Sequence, residues 1–247
     1  MKENKKAWEK LYSSIPSSEQ LINLKEQSPE NFIDDLKIQY IKKHLPTHGT
    51  IVDIGSGSGR LISRIGSEIT NCKLVGLDYA EHSIRLVNRN FLKFNLNGSA
   101  LCANAFHIPI KSNSVDAVVS GGVLEHFNET EINFIIQEMV RILKPEGKFY
   151  ADIVPNKSSL CRPIILFKHG GYENSFSKNQ WRKILSENGL RSIDIFRGCI
   201  IPINFYGWFK NGIKLKLMYK LQPYINDLDD TILSNILGFM YYVFAKK

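Results

Sequence analysis

Ile51-Val52-Asp53-Ile54-Gly55-Ser56-Gly57-Ser58-Gly59-Arg60 decides how the rest of this chain is read. An apolar, β-prone run passes into three alternate glycines, and a helical pattern resumes at Leu61. Glycines permit a tight turn and a close approach to bare backbone, and the unpaired N–H groups of the following helix N-terminus face whatever lies there. The stretch therefore reads as a ligand loop at the end of a strand. A dinucleotide fingerprint, G-x-G-x-x-G, requires a glycine at position 60, and Arg60 stands there instead, which argues against a bound pyrophosphate.

Outward from the loop, Lys73 to Leu77 forms a second β-prone run and ends at Asp78, where an acid can accept hydrogen bonds from both hydroxyls of a ribose. Asp53 has two readings that can coexist: a turn acid that caps local N–H groups, and a carboxylate that meets a ligand ammonium. Further runs at Ala100 to Ala103, Val115 to Ser120, Lys148 to Val154, Arg191 to Phe196 and Phe239 to Ala245 predict strands. Helical periodicity predicts helices over Pro29 to Leu45, Glu81 to Phe94 and Glu129 to Leu143, and Ser177 with Gln180 forms a capping box for another that ends near Gly189. Strands alternating with helices imply a parallel sheet covered on both faces.

In this order the segments from Ile51 to Phe149 resemble the class I, Rossmann-like S-adenosylmethionine-dependent methyltransferases, particularly the small-molecule group with a D-x-G-x-G-x-G turn. The resemblance implies a three-layer α/β sandwich with a mostly parallel seven-stranded sheet and an antiparallel last strand. It implies that Asp53, Gly55, Ser56, Gly57 and Gly59 hold the methionine side of S-adenosylmethionine and that Asp78, followed by Tyr79, binds its ribose. Asn104-Ala105 with Ile108-Pro109 is similar to the adenine-contacting D-A-x-x-L-P segment; Asn104 replaces the commoner acid, and its carbonyl can still accept from the adenine amino group. Gly121, at the end of the fourth strand, is a further cofactor-binding residue on this resemblance, and Leu143-Lys144-Pro145-Glu146-Gly147 resembles the L-K-P-G-G turn into the fifth. His126, just past the fourth strand, stands where an acceptor should sit and has the pKa range of a base; a structural role is the competing reading.

The chain divides on these grounds into an N-terminal helical lid segment (1–45), a methyltransferase domain (46–198 with 239–247) and an insertion (199–238). Trp8 and Tyr12, four apart, share a helix face that either packs on the sheet or closes over the cofactor. Between Asn156 and Lys220 twelve Lys and Arg oppose three acids, so this stretch carries +9 of a formal +8 and the remainder nets −1. Ile200, Ile201, Ile203, Phe205, Tyr206, Trp208 and Phe209 lie beside Lys210, Lys214, Lys216 and Lys220, a composition suited to an apolar or amphiphilic acceptor, to peripheral contact with an anionic membrane, or to a cap with its own core. Position 120–123 reads Ser-Gly-Gly-Val, lacking the signatures of exocyclic-amine and C5-pyrimidine methylation, while other RNA methyltransferases remain a second reading and a non-catalytic cofactor-binding protein a third. Four scattered cysteines and an N-terminus without a signal-like apolar run make the cytoplasm the default location, and no metal is expected.

Overall fold

The computed structural model describes residues 23–24, 28–153, 174, 176–198, 216–221, 224, 231, 236, 238 and 240–247. Its elements run α1 (Pro29–His44), β1 (Gly49–Ile54), α2 (Arg60–Glu68), β2 (Cys72–Asp78), α3 (Glu81–Lys93), β3 (Gly98–Cys102), β4 (Val115–Gly121), a 3-10 turn (Leu124–His126), α4 (Glu129–Ile142), β5 (Leu143–Ile153), α5 (Lys178–Glu187), β6 (Arg191–Gly198) and β7 (Met240–Lys246). The seven strands form one sheet in the order β3-β2-β1-β4-β5-β7-β6. Strands β1 to β5 pair in parallel, and β7 runs antiparallel to both β5 and β6. This is the three-layer sandwich expected, with the last strand inserted antiparallel.

The chain winds outward from β1 to β3 and then returns to place β4 on the other side of β1. That reversal opens a crevice beyond the carboxyl ends of β1 and β4, the usual ligand position in open α/β sheets. Successive residues of each strand feed opposite cores. Ile51, Val119 and Tyr150 pack with Phe32 and Leu36 of α1 and Ile62 of α2. Val52, Val118 and Phe149 pack with Ile135 and Met139 of α4 and Trp181 of α5.

Local chemistry sets the helix ends. Ser28 Oγ accepts the Asn31 N–H at 3.1 Å and Pro29 opens α1, whose last turn carries Lys42, Lys43 and His44 against the helix dipole. Asn128 with Glu131 and Ser177 with Gln180 form reciprocal capping boxes for α4 and α5, the second as expected from its spacing.

Leu143 to Gly147 differs from the simple turn expected. Leu143 already pairs with Val115 and Lys148 pairs with Ala117, so Lys144-Pro145-Glu146 bulges out within β5. The C-terminal residue closes the gap: Glu146 N–H donates to Lys247 O at 3.2 Å, and Lys247 N–H to Gly147 O at 3.1 Å. Glu146 takes φ +62°, the position where the resembling turn has glycine.

Within the 1–45 segment, α1 is built into the core, and Trp8 and Tyr12 lie outside the described residues. Most of 199–238, including every aromatic residue singled out above, also lies outside them. Residues 216–221 are helical; Met218 is buried, and the Tyr219 ring meets Phe32 edge-on at 5.4 Å while its hydroxyl donates to Ser28 O at 3.1 Å. The late segment thus reaches α1.

Candidate cofactor site

At the carboxyl end of β1 the chain turns on three left-handed glycines, with φ of +73° at Gly55, +52° at Gly57 and +78° at Gly59. Space is as restrictive as conformation: a Cβ on Gly55 would lie 2.6 Å from Val123 Cγ2, and one on Gly59 3.1 Å from the Val87 Cα. The loop is tied to the neighbouring strand, because Gly55 and Ser56 N–H both donate to Leu77 O, at 2.8 and 2.9 Å. Gly59 caps α2 without a side-chain acceptor, leaving first-turn amides facing the crevice.

Asp78, at the end of β2, accepts the Gly57 N–H at 2.9 Å on one carboxylate oxygen and the Ala80 N–H at 2.9 Å on the other. It therefore shapes the loop, and with the Tyr79 amide also turned toward it the carboxylate keeps acceptor capacity for a ribose hydroxyl. Burial pushes its pKa up, against the pull of those amides.

Asp53 behaves differently. It is 1% exposed, and neither carboxylate oxygen has a hydrogen-bond partner among the described residues. Burial first, then the Asp152 and Asp78 carboxylates, push its pKa up to about 8; the Ile62 amide and Lys37 pull the other way, the amide too poorly placed to complete a hydrogen bond. A buried carboxylate held this way costs free energy in the empty protein unless a cation arrives. Asp78 makes the close caps within the loop, while only the Ile62 amide leans toward Asp53, which leaves Asp53 open to the ligand reading. The Ser56 hydroxyl beside it is also buried without a partner.

Several residues that the sequence did not single out surround Asp53. Asp152 on β5 is buried and accepts Lys37 Nζ at 3.1 Å and the Tyr150 hydroxyl at 3.3 Å. Arg60 sits at the positive end of α2, an unfavourable place for a cation, and is offset by an ion pair with Asp34 at 2.5 Å and a hydrogen bond to Asn31 Oδ1 at 2.5 Å. Helix α1 thus delivers Lys37 to Asp152 and Asp34 to Arg60, at the Asp53 side of the crevice. The available signal was an acid on an otherwise apolar strand or helix face: Asp152 within β5 and Asp34 within α1.

Gly121 closes β4 beside Asp152, whose Oδ2 would be 3.1 Å from a Cβ there. The following turn carries half-buried His126, whose N–H donates to Val123 O at 3.1 Å. Buried Asn174 pins that turn, donating from Nδ2 to Leu124 O at 2.9 Å and from N–H to Glu125 O at 2.7 Å. On the other side, half-buried Tyr79 follows Asp78, and Asn104-Ala105 follows β3. The Asn104 side-chain carbonyl accepts the Phe106 N–H at 3.0 Å, so it enters any adenine contact with one lone pair already used. Two hollows, of about 340 and 650 Å³, lie elsewhere on the sheet flank and between α2 and α3, and no glycine-loop residue lines either.

Residues 51–147 match the methyltransferase domain family. This part of the chain is a class I, Rossmann-like methyltransferase domain. S-adenosylmethionine is the cofactor of that class, and the residues present fit it: three glycines clear a path for the ligand, and unpartnered Asp53 matches an ammonium. The domain is 38% identical over 87 residues to an uncharacterised protein of Methanocaldococcus jannaschii, covering 35% of each chain. It is 30% identical over 107 residues to the tRNA (carboxymethyluridine(34)-5-O)-methyltransferase ALKBH8 of Macaca fascicularis, covering 43% of this chain and 15% of that one. Malonyl-[acyl-carrier protein] O-methyltransferase of Geobacter sulfurreducens is 24% identical over 155 residues, covering 59% and 57%. The matches thus span between 15% and 57% of these relatives' own lengths.

Among solved structures, a SAM-dependent methyltransferase from Archaeoglobus fulgidus shares the fold with a TM-score of 0.63 at 17% identity, over 89% of this chain and 95% of that one. Phosphoethanolamine N-methyltransferase 2 of Haemonchus contortus, in complex with S-adenosyl-L-methionine, gives 0.61 at 15% identity, over 91% and 58%. No helix among the described residues is long and apolar enough to cross a membrane.

Proposed function

We propose that this chain transfers a methyl group from S-adenosylmethionine to an oxygen, nitrogen or carbon atom of a small-molecule acceptor. Asp53 carries the reading: a buried, unpartnered carboxylate directly before a glycine loop, within a methyltransferase domain. When bound, the cofactor supplies an electrophilic methyl on a sulfonium, and S-adenosylhomocysteine is the product. The protein's own contribution is alignment: Asp53 pairs with the methionine ammonium, Asp78 with the ribose, Asn104-Ala105 with adenine, and Gly121 leaves room beside the reacting end. Effective molarities of about 10⁵ to 10⁸ M indicate how far positioning alone can carry such a transfer. His126, beyond the end of β4, takes the acceptor's proton. An apolar or amphiphilic acceptor suits the aromatic and aliphatic composition of Ile200 to Phe209.

An RNA acceptor is the second reading. It is supported by the similarity to a tRNA methyltransferase and by the basic stretch from Asn156 to Lys220. Incubation with methyl-labelled cofactor and fractionated cell extract separates the two: label entering organic-soluble or small polar material supports the first, and label in nucleic acid replaces it with the second. Cofactor binding with no label in any fraction contradicts both.

A further inference from the structure

Asn104 and Ala105 lie in a stretch, 103–114, with no regular element beyond one isolated bridge between Asn104 and His107. Short-range bonds alone, such as Ile110 N–H to Ile108 O at 2.8 Å, do not fix where such a stretch lies relative to the sheet. Two anchors do. At the near end, the Ala103 N–H donates to Asp78 O at 2.9 Å, tying the stretch to the residue assigned to the ribose. At the far end the Asn113 and Ser114 N–H groups donate to Arg141 O and Ile142 O, both at 2.9 Å, and the side chains of one ion pair on α4, Arg141 with Glu138, hold residues 108–112 between the two ends.

The geometry of that pair is unusually complete. Arg141 Nε donates to Glu138 Oε1 at 2.7 Å and Nη2 to Oε2 at 2.9 Å, a bidentate fork. The remaining donors leave the helix: Nη1 to Ile110 O at 2.8 Å and Ser112 Oγ at 3.2 Å, and Nη2 to Ile108 O at 2.7 Å. All five guanidinium N–H groups are used. Glu138 Oε2 in turn accepts the Ile108 N–H at 2.7 Å, so both backbone groups of Ile108 are held by one pair, above a buried Ile108 side chain. Each partner favours the other's charged form, holding the Glu138 carboxyl below its usual range and raising Arg141. A lysine cannot reproduce the planar fork.

We propose that Arg141 and Glu138 are positioning residues for the adenine segment, fixing Asn104-Ala105 between Asp78 and α4 so that the adenine amino group is recognised. This rests on the S-adenosylmethionine reading above. The test is titration calorimetry with S-adenosylhomocysteine and with S-inosylhomocysteine, which carries a carbonyl in place of the adenine amino group. Wild type, Arg141→Lys, Glu138→Gln and a core control, Ile135→Val, are compared, each with its melting temperature. Wild type is expected to prefer the adenine ligand by about tenfold, the scale of one hydrogen bond left unmade in a buried site. Arg141→Lys and Glu138→Gln are expected to lose most of that preference, through weaker binding of S-adenosylhomocysteine, while Ile135→Val keeps it despite a lower melting temperature. An unchanged preference in both α4 variants overturns the proposal, as does an equal loss in Ile135→Val or a wild type that binds both ligands alike. A wild type that binds neither overturns the cofactor reading together with it.

Discussion

Replacing Asp53 by Asn should stabilise the empty protein while weakening cofactor binding, and both effects should depend on pH in a way the structure fixes. The folded-state pKa of Asp53 is pushed up to about 8, from the ordinary aspartate value of about 3.9 that it has in an unfolded chain. Between those values the folded state holds a proton that the unfolded chain has released, so wild-type stability falls as pH rises, by about 1.4 kcal/mol per pH unit. The loss begins above about pH 4 and levels off above about pH 8. Asn mimics the protonated form and titrates nowhere, so the stability difference between variant and wild type should grow at that slope across about pH 5 to 7.5. A cationic ligand reverses the preference, because Asp53 must ionise to pair with it. Near pH 7 binding should therefore release close to one proton per ligand, and wild-type affinity should rise about tenfold per pH unit up to about pH 8. Denaturant titration of both proteins at several pH values reads the first effect, and calorimetry of S-adenosylhomocysteine in buffers of different ionisation enthalpy reads the second. A pH-independent stability difference, or a binding enthalpy that ignores the buffer, refutes the account of Asp53 as a neutral, waiting carboxyl.

Other changes test the surroundings of that site. Asp152→Asn removes the largest charge acting on Asp53, so the pH at which affinity levels off should move down from about 8; an unmoved midpoint contradicts the coupling. Gly55→Ala places a side chain at φ +73° and 2.6 Å from Val123 Cγ2, which should cost about 1–3 kcal/mol in denaturant stability and reduce S-adenosylhomocysteine affinity; a variant within about 0.5 kcal/mol of wild type argues against strain there. His126→Asn should lower turnover by about 10²-fold or more while leaving S-adenosylhomocysteine affinity within about twofold, and undiminished turnover removes His126 as the base.

What the sequence made legible follows from which signals are local. Short apolar, β-prone runs bounded by turn residues located β1, β2 and β4 because strands covered on both faces are largely apolar, and the three alternate glycines announced positive φ because other residues avoid it. The capping box at Ser177 was equally local. The 143–147 stretch was misread as a simple turn because its bulge is stabilised by Lys247, at the far end of the chain. Asp34, Lys37 and Asp152 were missed for the same kind of reason. Each is a polar residue whose partner comes from another layer, and only the fold shows that α1 crosses the ends of β1 and β5. Asn104 was read for its chemistry alone; its Asx-type bond to Phe106 takes part of the acceptor capacity assigned to the ligand. The four side-chain contacts of Arg141 and Glu138 to residues 108–112 leave no trace in either segment's periodicity.

The most direct test of the central claim is calorimetric titration of the whole chain with S-adenosylhomocysteine at about pH 8, paired with the melting temperature at saturating ligand. The glycine loop, Asp53 and Asp78 predict one saturable site per chain, a raised melting temperature, and a marked loss of affinity in Asp53→Asn. No heat of binding and no thermal shift from wild type at about 1 mM ligand would contradict the account.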